Sequence, residues 1–104
     1  MPMKNLRVKI DLPRKELTDF CHRYQVKRLA LFGSVLRKDF RPDSDVDVLV
    51  LFKPKARIGL LTLSRMQREL SELLNRRVDL VPMDGIKPVI RKSVLSNIEE
   101  VYAA

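Results

Sequence analysis

The segment LFGSVLRKDFRPDSDVDVLV, residues 31–50, places a Gly33-Ser34 break ten residues ahead of Asp45-Val46-Asp47. It reads as the end of one strand and the start of another. Upstream, Val26 to Phe32 carries Leu29, Ala30, Leu31 and Phe32 and stops at Gly33, as a core strand would. Downstream, every residue from Val48 to Phe52 is apolar. A run apolar on both faces marks a central, covered strand over Asp45–Phe52. Between them, Ser34-Val35-Leu36-Arg37 opens a short helix, and Pro42-Asp43-Ser44 is turn chemistry.

Working outward, Leu6, Val8, Ile10 and Leu12 alternate with polar residues and predict an edge strand or an extended arm. Pro13 suits the first turn of a helix whose apolar face is Leu17, Phe20, Cys21 and Tyr24. Leu60, Leu63, Met66, Leu70, Leu73 and Leu74 form a second helical stripe. Arg77–Val81 reads as a third core strand. Pro88 opens a last helix with Ile90, Val94, Leu95 and Ile98 facing inward. The pattern is that of an α/β domain with a small sheet, one unit over residues 1–104.

Composition narrows the function classes. Hydrophobic residues make up 45% and charged residues 33%, as in a folded, soluble chain. The net charge of +8 favours anionic partners. The basic residues are dispersed and only six residues are aromatic, which argues against a dedicated nucleic-acid reader. One cysteine and one histidine cannot make a disulfide or an ordinary zinc site, so Cys21 is expected in the core. No segment approaches a membrane span and no signal peptide is apparent, which makes a cytoplasmic protein the default.

The chemistry is expected where three features converge: Gly33-Ser34, Asp45-Val46-Asp47 and Asp79. Side chains two apart on a strand face the same way, so the carboxylates of Asp45 and Asp47 are neighbours. Carboxylates so placed repel unless cations lie between them, and Mg²⁺ prefers such oxygens together with substrate phosphates. Asp79 is flanked by Val78, Leu80 and Val81, where an unpaired carboxylate is costly. If strands one and two are antiparallel, and two and three parallel through a helical crossover, the three acids gather at one end of the sheet. Gly33 lets backbone approach a phosphate, and the helix N-terminus after it suits an anion. Ser34 adds a hydroxyl, and Arg37 could reach a phosphate oxygen. The expected reaction is phosphoryl transfer with two Mg²⁺ ions, one held by Asp45 and Asp47 and the other bridging to Asp79. Taken singly, a Gly-Ser is loop chemistry and an Asp-x-Asp a solvated strand start; it is their order that carries the reading.

These residues resemble the Gly-Ser-x10-Asp-x-Asp signature of the DNA polymerase β-like nucleotidyltransferase superfamily, in particular its minimal nucleotidyltransferase (MNT) domains. The later segment RRVDLVP, carrying Asp79, is similar to that family's third-acid strand. The resemblance implies that Asp45, Asp47 and Asp79 are metal ligands and catalytic carboxylates, and that Gly33 and Ser34 bind the triphosphate. It also implies a HEPN-domain toxin as partner, with this chain the antitoxin that adds AMP from ATP to a toxin tyrosine. Alternatives are a small-molecule acceptor, or a non-catalytic module that covers the toxin. Self-association is also compatible with the apolar surface that a chain of this length leaves uncovered.

Overall fold

The computed structural model describes residues 12–33 and 45–104. Its elements are α1 (Arg14–Arg23), β1 (Val26–Phe32), β2 (Val46–Phe52), α2 (Leu60–Leu74), β3 (Val78–Pro82), a 3-10 turn (Met83–Gly85), α3 (Pro88–Leu95) and β4 (Ile98–Ala103). The expected arm over residues 6–12, the short helix from Ser34 and the turn at Pro42–Ser44 lie outside the described residues, except that Leu12 packs on the core.

The four strands form one mixed sheet in the order β3-β2-β1-β4. β1 and β2 are antiparallel, with Phe32 opposite Asp47. β2 and β3 are parallel, with Val46 opposite Val78 and Asp47 opposite Asp79. The apolar β2 is thus interior, as its composition predicts.

Strand alternation divides the side chains between two faces. Leu29, Leu31, Val46, Val48, Val50, Val78 and Leu80 join Leu17, Phe20, Met66 and Leu70 of α1 and α2 in the main core. Ala30 and Leu49 point to the other face and meet Ile86, with Val94, Leu95 and Ile98 packed around them. Alternation places Asp47 and Asp79 on this second face.

The apolar spacing of α1 and α2 is realised at most positions. Leu17, Phe20 and Cys21 are buried in α1; Met66, Leu70 and Leu74 are buried in α2. Pro13 takes the N-cap position of α1 rather than its first turn. Leu60 departs from the expected stripe, being 83% exposed at the first position of α2. α2 ends on Asn75, whose φ of 54° lies in the left-handed region that asparagine tolerates.

The C-terminal reading needs correction. The last helix stops at Leu95, and Ile98 opens β4, an edge strand antiparallel to β1. Ile90, expected to face inward, is about half exposed. β4 carries a register irregularity opposite Leu29 and Ala30, whose partners are Tyr102 and Glu100. The extra residue, Val101, breaks the period of two. Ile98 lies three residues after Leu95 and four after Val94, a spacing that continues the period of α3 past its end.

Candidate active site

Asp47 and Asp79 are brought side by side by the strand pairing. They occupy one register position on neighbouring parallel strands and project from the same face. Asp47 is half-buried and Asp79 exposed. Asp45, just before β2, turns to Arg77 in an ion pair, with Oδ1 3.1 Å from Nε. Among the described residues, no three acids are already drawn together at metal-holding distance. The sheet therefore aligns two of the expected acids, while the third is engaged with a cation of the neighbouring strand.

Gly33 closes the site from the side of β1. Its φ is +78°, and a Cβ added there would sit 2.3 Å from Oδ2 of Asp47. Only glycine accepts both the backbone angle and the carboxylate packed against its Cα. The glycine that the sequence suggests for phosphate approach is, in the fold, also the residue that makes room for Asp47. Ser34 and Arg37 lie outside the described residues.

Three contributors escape a reading of the sequence. The backbone N–H groups of Val78 and Leu80 donate to Ser71 Oγ at 3.1 Å and to Gln67 Oε1 at 2.9 Å. These two bonds, one on each side of Asp79, tie the edge strand β3 to α2 and fix the height of Asp79. Arg77 is the third, through its ion pair with Asp45. A polar residue on an amphipathic helix, or a basic residue before a strand, ordinarily reads as a solvated face, so no local signal distinguishes them.

Cys21 sits within the main core, and burial pushes its thiol up to about 12, so it remains a protonated core residue as expected. No helix among the described residues is long and apolar enough to cross a membrane.

A four-stranded mixed sheet with helices on both faces, and acids at the start of two adjacent parallel strands, is the DNA polymerase β-like nucleotidyltransferase fold. The chain belongs to the nucleotidyltransferase domain family, whose model matches residues 14–101. The protein adenylyltransferase MntA of Thermococcus cleftensis is 38% identical over 85 residues, which covers 82% of this chain and 81% of that protein. Among solved structures, a toxin–antitoxin structure with AMP-PNP superposes with a TM-score of 0.71 at 19% identity, covering 89% of this chain and 75% of the other. The MNT antitoxin in complex with the tri-AMPylated HEPN toxin of Shewanella oneidensis gives 0.64 at 18% identity, covering 88% and 70%. At these identities the two superpositions establish the fold.

Proposed function

We infer that the chain is a protein adenylyltransferase that moves AMP from ATP onto a tyrosine hydroxyl of a HEPN-domain toxin and so acts as its antitoxin. The observation that carries this reading is the alignment of Asp47 with Asp79 beside the Gly33 turn. The likeness to MntA supplies the acceptor class, and the AMPylated HEPN complex supplies the partner.

In this scheme the acceptor oxygen attacks the α-phosphorus in line, the bond to the bridging oxygen breaks, and pyrophosphate leaves. Asp79, exposed at the edge, faces the incoming hydroxyl and takes its proton. Asp47 and Asp45 lie on the triphosphate side, where Gly33 opens the backbone to the phosphates, helped by Ser34 and Arg37. The donor set is all carboxylate oxygen, which suits Mg²⁺; held by Asp45, Asp47 and Asp79, two such ions would neutralise charge on the triphosphate. Freeing Asp45 for this role costs little, because an exposed ion pair such as Asp45–Arg77 contributes no more than about 1 kcal/mol.

Mixing the protein with Mg-ATP and the HEPN partner should raise the partner's intact mass by one or more AMP units. Asp47→Asn should cut the rate by about 100-fold or more. An unchanged partner mass with the wild-type protein would remove the transferase reading. Full protection of cells by an Asp45→Ala, Asp47→Ala double variant would favour neutralisation by binding alone.

A further inference from the structure

The end of the sheet away from the acids is built for contact. Asp47 and Phe52 are five residues apart on β2, about 16 Å along an extended strand. Beyond Phe52, a recess of about 530 Å³ lies between the end of β2 and the start of α2, walled by Phe52, Ile58, Leu60, Leu63 and Pro82. A second recess, of about 420 Å³, shares Ile58 as a wall and is lined by Arg23, Lys55 and Arg57. Among the described residues, Asp84 is the one carboxylate lining either recess. Arg23 is engaged by Glu69, whereas Lys55 and Arg57 make no ion pair among the described residues.

The apolar residues here are not leftovers of the core. Leu60 and Leu61 are 83% and 85% exposed in the first turn of α2. That turn has no acidic residue, and its N-cap, Gly59, makes no side-chain cap. A helix start gains stability from acids and from Ser, Thr, Asp or Asn caps. Two exposed leucines in their place forgo that gain and leave apolar surface in water, the mark of an interaction site.

Resting on the partner assigned above, the geometry points to this end as a docking surface for an acidic face of the toxin, which sets an apolar side chain between Phe52, Ile58 and Leu60 and a carboxylate on Lys55 and Arg57. Charge complementarity selects that occupant. A second copy of this chain would bring a second cationic rim against the first, each on a chain of net charge +8. The most exposed apolar side chains here, Leu60 and Leu61, are aliphatic and offer no stacking platform, which favours protein over nucleic acid. Docking and transfer then use opposite ends of the sheet, so affinity for the toxin and chemistry on it are separable.

The test is calorimetric titration of the HEPN toxin into the wild-type protein and two paired variants, with AMP transfer read by mass in the same samples. Leu60→Asp with Leu61→Asp should weaken the dissociation constant tenfold or more without lowering the melting temperature. Its transfer rate should fall at low toxin concentration and recover at saturation. Lys55→Glu with Arg57→Glu should weaken binding similarly and flatten its salt dependence. The proposal is overturned if both pairs bind within twofold of wild type, or if the wild-type protein does not bind the toxin. It is equally overturned if the wild-type protein sediments as a dimer that the leucine variant dissociates. Unchanged affinities with intact AMP transfer remove the docking surface alone, whereas absence of transfer by the wild-type protein removes the transferase reading.

Discussion

Gly33 shows how one missing Cβ can organise a site. Gly33→Ala would have to hold a left-handed φ, at about 1–2 kcal/mol, and also displace the Asp47 carboxylate it would strike. The expected outcome is a small loss in denaturation midpoint with a disproportionate loss of AMP transfer; equal loss of both would mean that the glycine serves only the turn. The alignment of Asp47 with Asp79 beside Gly33 could be anticipated because each departs from apolar neighbours at a set spacing, whereas Asp45, expected with them, turns to Arg77. Arg77, Gln67 and Ser71 could not be anticipated, because their roles depend on a strand or helix brought alongside by the fold.

At the scale of elements, β3 is an edge strand held by side chains as much as by its ladder. Gln67→Ala leaves the Leu80 N–H without its acceptor and should cost about 1–3 kcal/mol in chemical denaturation. Hydrogen exchange at Leu80 should quicken with it. Leu70→Ala, at a fully buried position of α2, should cost about 2–5 kcal/mol. The helices α1 and α2 were readable because their apolar residues keep a clean period, and β1 and β2 because unbroken apolar runs mark covered strands. β4 was not, since Ile98 falls at helical spacing from Val94 and Leu95 and the extra residue Val101 breaks the alternation that marks a strand. The first position of α2 was misread because Leu60 keeps the helical spacing of Leu63 and Met66, and spacing alone does not show that its side chain is left in solvent.

For the molecule as a whole, the link between α1 and α2 carries a pH dependence. Glu69 accepts from both Arg23 and Tyr24, and the Arg23 hydrogen bond, more than any other influence, holds its carboxyl below the ordinary value of 4.5. A carboxyl lowered in the folded state contributes stability above its unfolded pKa and loses it as pH falls through the folded value. Glu69→Gln should therefore be less stable than wild type near pH 6, with the gap closing below about pH 4, as read by urea denaturation at each pH. Solvent exposure keeps the effect small. Parallel pairing of β2 with β3 sets the acids at one end of the sheet and the starts of the connecting chain at the other. That polarity was deducible from a helical crossover, whereas the surface beyond Phe52 needed the packed structure.

The sulfur of Cys21 has one further consequence. Sealed at 0% exposure in a chain with no other cysteine, it can meet an alkylating reagent only when α1 lifts from the sheet. Labelling at pH 8 should thus track rare excursions of the native ensemble rather than surface chemistry, and should slow when nucleotide or partner clamps the fold. Labelling as fast in the native protein as in urea would contradict that placement. The chain carries, in a single atom, its own clock for how often it opens.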